Sequence, residues 1–310
     1  MSFTVLLGTL VSLFALIAVG FICGKMKMVS DNAIADLTGL LMKFFLPCML
    51  ISSMARDFDV DMLQQILLVF AASFASTLLF LLIMWVLTFV FHIPQRMRGL
   101  WTFAAASPNL GFFGFPLISV LMGSDALFLA SMFSMPVNII CFTIGIKIIS
   151  RDSDANAGVC WKDILTNPCN IAVAIGLLLF FLPITLPGPV ASVVEDLGAA
   201  TIPISMIIVG ISLSKGSFRD MFRHKYSYLS TIARLIISPL LMFALLQFWP
   251  SAWGDMIPAL LILIYALPGP TIVVIFARQY KSDIDLANGS IFMSSLFSLV
   301  TIPVMLALLL

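Results

Sequence analysis

The sequence predicts an all-α membrane protein of ten transmembrane helices, built as a 5+5 inverted repeat with broken, crossing helices 4 and 9. Three observations predict it: how apolar the chain is, where its few charges fall, and how its prolines recur. Of 310 residues, 61% are hydrophobic and 10% charged, with a mean hydropathy of +1.14. Soluble domains run at roughly 45–50% apolar and about 25% charged, and a globule of this size has too much surface to hide such an excess. At about 20 apolar residues per bilayer crossing, the length holds about ten crossings with short loops. A soluble enzyme, a nucleic-acid binder and a disulfide scaffold are thereby excluded.

Apolar windows place the spans near 4–24, 36–55, 63–91, 99–121, 126–149, 168–186, 191–213, 226–249, 256–278 and 286–309. The third is long enough to tilt. The first is not expected to be a cleaved signal peptide, because Lys25 and Lys27 follow the apolar run instead of preceding it. The longest polar connection, Ser150–Asn167, carries Arg151, Asp152, Asp154, Lys162 and Asp163.

Sorting the basic residues by loop gives the orientation. Lys25 and Lys27, Arg96 and Arg98, Lys147, Arg151 and Lys162, Lys215, Arg219, Arg223 and Lys225, and Arg278 and Lys281 all fall between odd and even spans. They make up thirteen of the 16 Lys and Arg residues; the opposite side holds only Arg56. The positive-inside rule then sets these five loops in the cytoplasm and both termini outside a plasma membrane. One crossing more or fewer would scramble this alternation.

The prolines recur in order: Pro47 with Pro203, Pro108 with Pro268, Pro136 with Pro303, at separations of 156, 160 and 167 residues. The expected division is therefore 1–150 as a first five-helix repeat, 151–167 as a short cytoplasmic loop and 168–310 as a second, inverted repeat. Such repeats are a signature of secondary transporters, whose site lies at the midplane between the halves.

Spans 4 and 9 carry the sharpest signal. Ser107-Pro108-Asn109-Leu110-Gly111-Phe112-Phe113-Gly114-Phe115-Pro116 cannot form a continuous helix, nor can Leu267-Pro268-Gly269-Pro270-Thr271. At membrane depth such breaks survive only where protein or a wet cavity satisfies the freed backbone. Half-helix N-termini aimed at a shared point offer bare N–H donors and partial positive charge, which suits an anion. Asn109 can hydrogen-bond a carboxylate without burying a charge, or satisfy a loose carbonyl at the break. Thr271 is its repeat-related partner. Asn138 and Ser134, flanking Pro136, either line the same cavity or bond between helices.

Two cations fall inside spans. Arg234 is read as attracting an anion or binding a carbonyl at a broken helix, and Lys43 as snorkelling or facing a domain interface. Glu195 and Asp196 are read as a solvated helix end or a coupling site for H+ or Na+. No phosphate loop points to ATP, His92 and His224 fall in loops, and the five cysteines (Cys23, Cys48, Cys141, Cys160, Cys169) lack metal-ligand spacing. No cofactor, metal or enzyme activity is expected.

These residues resemble the auxin efflux carrier family, which includes plant PIN proteins and bacterial malate and malonate permeases. Pro108-Asn109 with Gly114-Phe115-Pro116 is similar to the family's span-4 motif, and Ala266-Leu267-Pro268 with Phe276-Ala277 and Tyr280 to its span-9 motif. Asn167-Pro168 leading to Ile175-Gly176-Leu177 resembles the start of its second repeat, and Arg234 and Pro239 sit as the family has them. The resemblance implies a scaffold of spans 1, 2, 6 and 7, a moving transport domain of spans 3–5 and 8–10, and elevator-type alternating access. It also implies a homodimer and substrate held at the crossover, with Pro108, Asn109, Gly111, Pro268, Gly269, Pro270 and Thr271 around it and Asn109 on the carboxylate. The short Ser150–Asn167 loop and Leu50, where plant carriers have Ser, favour a compact bacterial inner-membrane permease over an auxin carrier. The expected function is transport of small organic anions, mono- or dicarboxylates. A sodium-coupled carrier of the bile-acid-transporter type and a non-translocating ligand sensor are the alternatives.

Overall fold

A computed structural model describes residues 3–56, 59–152, 161–182, 186–215, 224–250 and 254–309; it is helical, with no strand among the described residues. Arg219, Arg223, Asp154 and Cys160, singled out above, lie outside them. Among the described residues, six helical runs are long and apolar enough to cross a membrane: Asp31–Met54, Met62–Val90, Gln95–Ser150, Gly188–Ser214, Lys225–Leu246 and Ile284–Leu308. Three shorter apolar helices are Leu10–Lys25, Pro168–Phe181 and Met256–Ala266.

The 56-residue Gln95–Ser150 run is not one rod. Helix Arg98–Ala106 ends at Ser107, and within Phe115–Ile140 the backbone leaves the helical region at Gly123, with φ 84° and ψ −173°. That conformation is open to glycine and strained for a residue with a Cβ. Expected spans 4 and 5 are thus separated by a kink at Gly123, not by a loop. The sixth segment is shorter than its apolar window: the helix stops at Phe181, and Leu182 is extended.

Proline shapes the helices further. Its ring clashes with the carbonyl four residues earlier. Pro47, Pro116 and Pro239 are preceded at that distance by Lys43, Phe112 and Leu235, and each of these lies inside a π-helical stretch: Leu41–Phe45, Leu110–Gly114 and Ala233–Ile237. The wider turn accommodates the ring without ending the helix. Lys43 and Arg234, the two cations inside apolar helices, both sit in these widened turns.

The chain forms two compact units. The first comprises Met1–Phe70, Gly111–Met135 and Lys162–Lys215. Its helices pack through small residues: a Cβ on Gly20 would run into the Ile207 carbonyl oxygen, and one on Gly210 into the Ile17 carbonyl oxygen. Helices Phe3–Lys25 and Gly188–Lys215 therefore touch backbone to backbone, the way membrane helices gain contact where lipid gives no hydrophobic drive. Arg56 in the same unit pairs with Asp125 and lies over the Phe128 ring.

The second unit comprises Ala71–Leu110, Pro136–Trp161 and Gly216–Leu310. Its interior is rich in hydroxyls: Ser73, Thr88, Thr102, Ser107, Ser227, Ser230, Ser290, Ser294 and Ser298 are all buried. Ser230 and Ser290 join at 2.7 Å between helices Lys225–Leu246 and Ile284–Leu309, and the Trp101 indole N–H donates to the Tyr226 carbonyl at 3.0 Å. Gly99 lies against the Ile148 carbonyl, closing Arg98–Ala106 onto Ile146–Ser150.

Candidate functional site

Both broken spans stop for the same local reason. A residue before proline is driven out of the helical region. Ser107, before Pro108, has φ −88° and ψ 137°, and Leu267, before Pro268, has φ −65° and ψ 152°. Each half-helix thus ends on an alanine, Ala106 or Ala266, leaving carbonyls without helical partners. Pro108, Asn109, Pro268, Gly269 and Pro270 are buried, so groups at the breaks call for partners within the protein.

The protein satisfies them itself. The Asn109 backbone N–H donates to the Pro268 carbonyl at 2.9 Å, tying one break to the other. The Gly269 N–H donates to Ser294 Oγ at 3.1 Å. The carbonyls converge on Arg234, which is fully buried. Its Nε donates to Leu267 O at 2.7 Å, its Nη1 to Ala106 O at 2.9 Å and its Nη2 to Ile264 O at 2.8 Å. The guanidinium carbon lies 5.6 Å from the centre of the Tyr265 ring, which itself stands 4.1 Å from that of Phe80. None of these partners is a carboxylate. The negative ends of two helix dipoles and an aromatic face balance the charge.

The glycines differ. A Cβ on Gly269 would stand 3.1 Å from the Ala104 carbonyl oxygen, whereas one on Gly111 would meet only Leu46 and Met42 side-chain atoms near 4 Å. Ser107 Oγ lies 3.9 Å from Cys141 Sγ, a weak contact beside the first break. Thr271 is exposed, just ahead of helix Ile272–Gln279.

The remaining predicted residues are distributed. Ser134 is buried in the first unit and donates to the Ser131 carbonyl at 2.7 Å; Asn138 is half-buried in the second. Gly111 is half-buried and belongs to the first unit, while Pro108 and Asn109 belong to the second. Lys43, Glu195 and Asp196 are exposed. Among the described residues no three His, Cys, Asp or Glu side chains cluster as a metal site would need.

Sequence reasoning missed one residue that shapes the half-helix leading to the first break. Asp152 reaches across to the N-terminus of Arg98–Ala106, accepting from Gly99 N and Leu100 N at 3.0 Å each. Burial pushes its carboxyl up to about 6, against the opposing pull of those two N–H groups and of Arg98. A cap supplied from 53 residues downstream leaves no local signature.

A family model described as membrane transport protein matches residues 5–306. The chain is 24% identical to an uncharacterized transporter of Methanothermobacter thermautotrophicus, over 95% of each chain. It is 23% identical to an uncharacterized transporter of Methanocaldococcus jannaschii, over 69% of each. With a match across nearly its whole length, the chain belongs to the membrane transport protein family, the auxin efflux carrier family that its broken-span motifs resemble.

Proposed function

We propose that this membrane transporter is a secondary permease for small organic anions, mono- or dicarboxylates, held at the paired breaks and moved by elevator-type alternating access. The observation that carries the reading is the joining of Asn109 N to Pro268 O at 2.9 Å within a buried, protein-satisfied crossing. Its carbonyls are already neutralised by Arg234, and the polar side chain that the first break carries is the Asn109 amide. An uncharged amide there binds a carboxylate without a second buried charge. Transport without an ATP-binding motif is driven by gradients, and the family is one of transporters, not enzymes.

The ten-span inverted repeat is part of the same proposal. Six long apolar runs and three shorter ones among the described residues support it, with the longest run divided by the Gly123 kink, and the recurrence of Ala-x-Pro at both breaks is what a duplicated unit would retain. The first unit holds the helices expected of a scaffold, Phe3–Lys25, Asp31–Met54, Pro168–Phe181 and Gly188–Lys215. Residues 60–150 are shared between the units instead of belonging wholly to the second. A homodimer in the plasma membrane with both termini outside completes the proposal.

Solid-supported-membrane electrophysiology on proteoliposomes against a panel of mono- and dicarboxylates tests it. Wild type is expected to give substrate-dependent currents with at least one carboxylate. Asn109→Ala is expected to raise KM by about tenfold or more, the scale of one hydrogen bond to a charged group. Silence across the panel, or an unchanged KM in the variant, defeats the anion site.

A further inference from the structure

Arg234 is a full positive charge with no carboxylate among its partners, 0% exposed in the middle of an apolar helix. Such placement is costly and persists where the charge has a task. Its surroundings define the task. Three backbone carbonyls, Ala106 O, Ile264 O and Leu267 O, surround the guanidinium at 2.7–2.9 Å. They belong to the C-terminal ends of both half-helices that run into the breaks. In carriers built on discontinuous helices, half-helix C-termini and unwound carbonyls are the groups that coordinate a coupling cation, while the N-termini face the anionic substrate.

The geometry points to Arg234 as a resident counter-cation: a positioning residue whose guanidinium permanently fills the carbonyl cage that a coupled carrier would offer to Na+, so that transport through these breaks requires no sodium. The inference rests on the breaks being the substrate site. Arg keeps its proton in proteins, so the cage is occupied at every stage of a cycle and neither Na+ nor H+ is exchanged through it. The same charge cancels the negative ends of both half-helices, which would otherwise repel an anion at the crossing. The planar fork also fixes the angle between the half-helices, since three carbonyls from two helices must meet one rigid group.

The first arm needs no variant. Carboxylate-evoked currents of wild-type proteoliposomes, and the Tm of the purified protein, are expected to be unchanged when choline replaces sodium at constant ionic strength. The second arm empties the cage: Arg234→Ala is expected to lower Tm and raise KM by about tenfold or more, the scale of losing charged hydrogen bonds. Methylguanidinium at millimolar concentration is expected to restore both, while choline restores neither. Arg234→Lys, a cation that reaches fewer carbonyls at once, is expected to fall between. A sodium requirement in the wild type overturns the inference. So do wild-type currents in Arg234→Ala without an added cation, or a variant that methylguanidinium leaves unmoved in both assays. If no carboxylate evokes a current, the anion reading fails, and the Tm response of Arg234→Ala to methylguanidinium judges the cage on its own.

Discussion

At the first break the chain reads Ala106-Ser107-Pro108-Asn109 and at the second Ala266-Leu267-Pro268-Gly269, and both leave the helix at the residue before proline. Their partners differ. The first gives one carbonyl, Ala106 O, to Arg234 and one N–H to the other break. The second gives Ile264 O and Leu267 O to Arg234, receives Asn109 N on Pro268 O, and leans its Gly269 N–H on Ser294. The second break therefore carries more of the contacts that hold the pair, while the first carries an amide side chain, Asn109. One proline pattern yields two breaks with different partners, because a break is shaped by what satisfies its orphaned groups as much as by the proline.

The strongest way to break this contrast is to remove a hydroxyl from each side. Ser294→Ala orphans the buried Gly269 N–H and is expected to cost about 1–3 kcal/mol, read as a lower Tm of the purified protein. Ser107→Ala removes a hydroxyl whose contact with Cys141 Sγ is long, 3.9 Å, and is expected to leave Tm nearly unchanged. Equal losses from the two would show that the breaks are held alike.

A methyl group makes the same comparison at smaller scale. Gly269→Ala pushes a Cβ to 3.1 Å from the Ala104 carbonyl oxygen, a backbone atom that cannot swing aside, and is expected to destabilise by about 1–2 kcal/mol through overpacking. Gly111→Ala meets nothing closer than 3.8 Å and gains helix propensity, so it is expected to be neutral or to stabilise by a few tenths of a kcal/mol up to about 1 kcal/mol. Thermal unfolding of the pair ranks them directly.

Much of this was legible beforehand. The all-α membrane class follows from composition, and the breaks follow from proline's missing donor and its effect on the residue before it. Arg234 was left open between attracting an anion and binding a broken helix's carbonyls, and it binds the carbonyls. Sequence could not decide this, because the accepting groups are backbone atoms 30, 33 and 128 residues away. A backbone carbonyl carries no residue identity to read. The π-helical turns around Lys43 and Arg234 were missed although their signal was present, a proline four or five residues downstream. The pattern of Lys27, His92 and Lys281 with positive φ was likewise invisible. Each closes its helix with a bond from the next residue's N–H back five positions, as at Ile93 N to Thr88 O, 2.8 Å.

A pH-dependent effect arises at the far end of the half-helix that leads to the first break, where Asp152 caps Gly99 and Leu100. Burial raises its carboxyl from 3.8 to about 6 in the folded protein. A raised folded-state value means that the fold binds this proton more tightly than the unfolded chain does. The stabilising contribution is complete below 3.8 and is lost as pH rises through about 6. Asp152→Asn cannot titrate and keeps one acceptor oxygen for the two N–H groups. The Tm of wild type relative to Asp152→Asn is therefore expected to climb as pH falls from 7 to 5, and to level off near 4. A difference that stays flat across that range would mean that Asp152 is solvated, and that the N-terminus of Arg98–Ala106 is capped by water instead of by a carboxylate held inside the fold.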